Sequence, residues 1–150
     1  MANIRIGSHS SHNYQVAEKI TEAKQLNWSD SGKVFFVEQG SGTYVIHFPK
    51  LSEEICGWQA KFVLSKINSQ AVEINAYGVP AGGHASSGDA NKVNYAEISA
   101  TPDSGALIDG MQFGSGAADL GTTIQAHSDG TYWYLMGAGQ NAGNLDKVTA

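Results

Sequence analysis

His9 and His12, in the run His9-Ser10-Ser11-His12, are the closest-spaced histidines of this sequence and its first candidates for chemistry. Two imidazoles at this spacing can share a cation, but a zinc site takes three or four ligands, normally from two clusters. His47, His84 and His127 lie far apart and in different elements. The pair therefore reads as surface histidine, and no metal is expected. Cys56 is the one thiol. As a nucleophile it would need a histidine and an orienting group beside it, and the sequence places neither there. Between Ile55 and Gly57, at the start of a strand, it is expected to be buried and inert. Ser-Gly pairs recur without the G-x-S-x-G elbow of a serine hydrolase. Gly114-Ser115-Gly116 lacks the Lys and Ser/Thr of a phosphate loop. Asp103, Asp109, Asp119 and Asp129 each lie near a glycine, and none falls in a D-x-D-x-D calcium loop. They read as turn residues. Nothing favours a pair of carboxylates set for glycoside cleavage. The expectation is no catalytic residue, no cofactor and no enzyme.

Binding chemistry is better represented. Tyr132-Trp133-Tyr134 sits in the most aromatic strand of the chain. Alternation puts Tyr132 and Tyr134 on one face and Trp133 on the other. Trp133 is expected in the core. An outward tyrosine pair suits a subunit contact, because interfaces favour tyrosine, and aromatic faces also stack on sugars.

The elements that must position these groups are β-strands. Lys33 to Glu38 carries the apolar run Val34-Phe35-Phe36-Val37 after the turn Ser29-Asp30-Ser31-Gly32. Thr43 to Phe48 alternates with Tyr44, Ile46 and Phe48 on one face, and Pro49 ends it. With Gly40-Ser41-Gly42 between them, residues 29 to 48 read as a β-hairpin. Trp58, Ala60, Phe62 and Leu64 point inward, then Val72, Ile74 and Ala76. Residues 93 to 99, 106 to 113, 122 to 127 and 131 to 136 follow as strands, and Ile124 and Ala126 point inward. Residues 14 to 26 fit either a short helix, through Val16, Ile20 and Ala23, or a strand, and strand is favoured. Residues 79 to 92 form a long loop of the kind that contacts partners. Residues 137 to 150 read as a glycine-rich tail. The pattern predicts an all-β fold, a β-sandwich or jelly roll of about eight short antiparallel strands, with an N-terminal arm over 1 to 13 and one β domain over 14 to 150.

Composition narrows the function classes. The 150 residues carry a net charge of −5, so phosphate repels the chain and nucleic acid is not an expected partner. Only 15% are charged, against about 25% in an average domain, which leaves the surface to Ser, Thr, Asn, Gln and Gly. The start Met1-Ala2-Asn3-Ile4-Arg5-Ile6-Gly7 has no charged region followed by an apolar run, and no stretch is long enough to span a bilayer. Synthesis in a cytoplasm, with no membrane partner, is expected.

Two stretches resemble small structural proteins of tailed phages and related large viruses. One is Leu26-Asn27-Trp28-Ser29-Asp30-Ser31-Gly32-Lys33-Val34-Phe35-Phe36-Val37, followed by Tyr44-Val45-Ile46-His47-Phe48-Pro49. The other is His127-Ser128-Asp129-Gly130-Thr131-Tyr132-Trp133-Tyr134-Leu135. Phe48 departs from the leucine of that pattern, and the loop 79 to 92 is long for it. The resemblance implies a capsid decoration, or cement, subunit on the virion surface, made in the host cytoplasm. It would bind the major capsid protein and itself, as a homotrimer. The rival it also implies is a receptor- or carbohydrate-binding tip of a tail or head fibre. The residues expected to meet partners are Ile4, Arg5, Ile6, His9, His12 and Tyr14 in the arm, His84 in the long loop, and Tyr132 and Tyr134.

Overall fold

The computed structural model describes residues 16–83, 93–98, 108–115, 119–140 and 144–148, with 93–98 described by backbone pairing alone. These residues form an all-β structure. The strands are β1 (Ala17–Ile20), β2 (Lys24–Gln25), β3 (Val34–Glu38), β4 (Tyr44–His47), β5 (Gln59–Lys66), β6 (Val72–Asn75), β7 (Val93–Ile98), β8 (Gly110–Phe113), β9 (Thr123–Ser128), β10 (Trp133–Ala138) and β11 (Leu145–Val148). They make a six-stranded sheet, in the order β1-β3-β5-β9-β10-β7, and a five-stranded sheet, in the order β11-β8-β6-β4-β2.

The path through these sheets differs from the expected antiparallel one. From β1 to β6 the chain crosses from one sheet to the other at every connection. Successive strands in the same sheet are therefore parallel: β1 with β3, β3 with β5, β2 with β4, and β4 with β6. This first half is wound like the coils of a solenoid. In the second half β9 against β5, β10 against β9, β8 against β6 and β11 against β8 are antiparallel, while β7 lies parallel to β10 at the edge of the larger sheet. The expected hairpin over 29 to 48 is thus a crossover, because β3 and β4 belong to different sheets. Gln39 redirects the chain there. Its buried side chain donates to the Gly114 carbonyl at 3.0 Å and accepts from the Asn68 N–H at 2.7 Å. The hairpin at Ser128-Asp129-Gly130 does form. Asp129 Oδ1 accepts from the Thr131 and Tyr132 N–H groups, and Gly130 takes φ +89°. β11, read as tail, pairs with β8; its pattern of buried, exposed, exposed, buried carries no alternation to reveal it.

The inward faces of both sheets share one core. Phe35, Phe62, Ile124 and Trp133 come from the larger sheet, and Ile46, Ile74, Met111 and Phe113 from the smaller. Phe48 joins them, stacked on Trp133 with ring centroids 4.3 Å apart and edge-on to Trp58 and Phe62. The predicted inward residues of β5, β6 and β9, and Trp133, are all buried. Cys56 is the reverse of its expectation. It is exposed, because a single 3-10 turn over Glu53–Ile55 buries Ile55 and turns the next residue outward. Tyr44 bridges the sheets, its hydroxyl donating to the Glu38 carbonyl at 2.6 Å. Burial, reinforced by the Glu38 carboxylate, pushes that phenol up to about 12.

Candidate functional site

Two surfaces stand out. The first is the outward face of the six-stranded sheet. Register sets its side chains in cross-strand rows. One row runs Lys19, Phe36, Val63, Thr123, Ala138, and the next runs Ala17, Val34, Lys61, Gln125, Met136. Gln59, His127 and Tyr134 make a third. Phe36, Tyr134 and Met136 are exposed. Lys19 is paired with Glu38 at 2.7 Å, whereas Lys61 and, at the end of β5, Lys66 have no ion pair among the described residues. A hollow of about 180 Å³ lies beside Lys61, lined in part by Gln59, Lys61, Gln125 and His127. Tyr134 is held in place by its hydroxyl, which donates to Asp129 Oδ2 at 2.8 Å. That bond raises the phenol's pKa, while the Tyr132 N–H, the Tyr134 hydroxyl and the Thr131 N–H lower that of Asp129.

The second surface is a cleft of about 510 Å³ at one end of the five-stranded sheet. Topology creates it. Parallel neighbours β2, β4 and β6 deliver their outgoing connections to the same edge, just as ligand sites of parallel sheets gather at the carboxyl ends of the strands. Gln25 ends β2 and Leu26 to Trp28 follow it, Pro49 to Ile55 follow β4, and Tyr77 follows β6. The floor is buried Leu26 and Ile55. The walls are two rings turned to solvent, Trp28 at 76% exposure and Tyr77 at 55%.

Local bonds hold this cleft open. Asn27 and Asp30 form a reciprocal cap on the 3-10 turn Trp28–Asp30, the Asn27 side chain accepting from the Ser29 N–H and Asp30 Oδ2 accepting from the Asn27 N–H at 2.9 Å. Buried Trp58 donates its indole N–H to the Asn27 carbonyl at 3.1 Å. Gln25 Nε2 donates to the carbonyls of Leu26 and Phe48, both at 2.9 Å, which ties the first connection to the second. His47 Nε2 lies 2.7 Å from the Val79 carbonyl and so links the second to the third.

Lys33 locks the turn from below, 2.5 Å from Asp30 and 3.1 Å from Glu18, and Glu18 also holds Lys24. Burial by itself raises the Asp30 carboxyl, but the Lys33 ammonium and the Asn27 N–H outweigh it and hold its pKa below the ordinary range. A carboxyl held low in the folded chain stabilises the fold above its unfolded value, about 4, and that contribution disappears as pH falls through the folded value. Asp30→Asn is expected to cost about 1–3 kcal/mol at pH 7. The difference from the parent should shrink as pH is lowered from about 5 to below 3. Urea denaturation across that range checks it; a difference independent of pH would separate the carboxylate from the stability of the turn.

Of the residues expected to meet partners, Tyr134 is exposed on the outer sheet face and Tyr132 is partly buried beside the Asp129 turn. Ile4, Arg5, Ile6, His9, His12, Tyr14 and His84 lie outside the described residues. Among the described residues no three His, Cys, Asp or Glu side chains gather to hold a metal. Sequence reasoning missed Trp28 and Tyr77. The signal for Trp28 was a large ring set directly against a Ser-Asp-Ser-Gly turn, where no core strand could bury it; Tyr77 carried none. No protein-family model and no curated protein matches this chain.

Proposed function

We propose that this chain is a structural subunit of a virus particle that works by adhesion, a capsid decoration protein binding the major capsid protein and further copies of itself, as a trimer. The two layers over one core read as a β-sandwich whose larger sheet presents its outer face to a partner. One observation carries the adhesive reading: the outward face of the six-stranded sheet bears Phe36, Val63, Tyr134 and Met136 in registered rows, within which Lys61 is the one charge without an ion pair among the described residues. Charge depletion with aromatic residues and Met is the composition of an interface centre rather than of free surface. The phage-protein resemblance of the segments that build β3, β4 and β10 supplies the particle.

The test adds purified protein to shells assembled without it and measures occupancy. Phe36→Asp combined with Met136→Asp is expected to lower occupancy about tenfold or more, since a desolvated unpaired charge costs several kcal/mol. Both positions are exposed, so the urea midpoint should stay close to the parent's. Undiminished occupancy would remove this face from the function, and no binding by the parent chain would remove the capsid.

A further inference from the structure

The geometry points to a second binding site, independent of the outer sheet face: the Trp28–Tyr77 cleft takes a neutral oligosaccharide of hexopyranose rings. None of the residues that make the adhesive rows lines this cleft.

The argument starts from the rings. A tryptophan 76% exposed on a well-packed turn leaves a large apolar face in water. Tyr77 does the same from a connection far away in sequence, and both border one hollow. A volume of about 510 Å³ lies within the usual span of ligand sites, about 300–1,000 Å³. The backbone that carries Trp28 is fixed by the reciprocal cap and by Trp58, which lowers the ordering cost of binding there.

The polar groups choose the ligand. Lys50 and Glu54 line the cleft, and neither has a hydrogen bond or ion pair among the described residues. Gln25 spends its Nε2 hydrogens on backbone carbonyls and leaves Oε1 to accept. The cleft therefore offers apolar ring faces, one ammonium donor, and a carboxylate and an amide oxygen that accept. A pyranose matches each of these: its C–H face lies on a ring, and its rim of hydroxyls both donates and accepts. Lys50 and Glu54 cancel in charge, which favours a neutral sugar over an acidic one. A proline-rich peptide would cover the rings equally well, but proline has no N–H and offers no donor to Glu54 or the Gln25 oxygen.

The full chain is screened against an array of neutral tri- to pentasaccharides of hexoses and N-acetylhexosamines, and the ligands found are titrated by tryptophan fluorescence. Trp58 and Trp133 are buried, so a sugar-dependent change in emission or in acrylamide quenching reports on Trp28. Trp28→Ala and Tyr77→Ala are each expected to weaken binding about tenfold, Trp28→Phe less, with unchanged urea midpoints. Absence of any saccharide binding up to millimolar concentration overturns the site. So does saccharide binding that survives both alanine variants, or a proline-rich decapeptide that binds with the same sensitivity to Trp28→Ala where the sugars do not. Each of these outcomes leaves the occupancy measurement on shells standing.

Discussion

Truncating Phe48 to alanine is expected to lower the unfolding free energy by about 4 kcal/mol, within the range for a buried aromatic replaced by a methyl. The reason is its place between the layers. Phe48 leaves the end of β4 in the smaller sheet, yet all three of its ring partners, Trp58, Phe62 and Trp133, belong to the larger sheet or its approach. Trp58 and Trp133 are themselves in edge contact at 5.1 Å, and Phe35 stacks on Phe62 at 5.2 Å. Removing the ring leaves a void bordered by rigid aromatic walls, which cannot collapse as flexible aliphatic side chains would. Phe48→Leu keeps most of the volume and is expected to cost less than half as much. Urea denaturation followed by the fluorescence of the buried tryptophans measures both. A loss below about 1.5 kcal/mol for the alanine variant would mean that the ring is not what joins the two sheets.

What the sequence revealed and what it hid divide along a physical line. Period-two alternation reports which side of a strand meets the core, and it placed Trp58, Ala60, Phe62, Leu64, Val72, Ile74, Ile124 and Trp133 correctly. Alternation contains no direction. Val34 to Glu38 and Tyr44 to His47 have the same inward rhythm whether they pair with each other or cross to opposite sheets, and the deciding contact is made by Gln39 to Gly114, 75 residues away. Short edge elements were hidden for another reason. β2 has two residues and β11 buries only its ends, so neither repeats long enough to show a period. The cleft was out of reach in principle. It draws on three connections that meet only because β2, β4 and β6 run parallel, and parallel winding was the feature the sequence did not disclose. Cys56 failed for a local reason: a 3-10 turn, not a strand, precedes Trp58.

Gly110 provides the strongest test of that topology. β8 crosses β6 with Gly110 opposite Asn75. A methyl group at Gly110 would overlap the Asn75 Oδ1 and Ile74 carbonyl oxygens and sit 2.8 Å from Asn75 Cα. Two of those three atoms are backbone inside a sheet, flanked by the Ala76 N–H to Asp109 carbonyl bond at 2.9 Å. They cannot give way without opening the β6–β8 ladder. Gly110→Ala is therefore expected to destabilise by about 3 kcal/mol, the upper part of the range for overpacking. Gly137 is a fair control. A methyl there would also meet crowded space, but the atoms it meets are the ends of the Leu145 and Met111 side chains, which can rotate. Gly137→Ala should cost well under half as much, although Gly137 lies within its strand and Gly110 begins its own. If the two alanine variants unfold at the same urea concentration, β8 does not lie against β6 at this distance. The antiparallel return that closes the smaller sheet would then have to be redrawn.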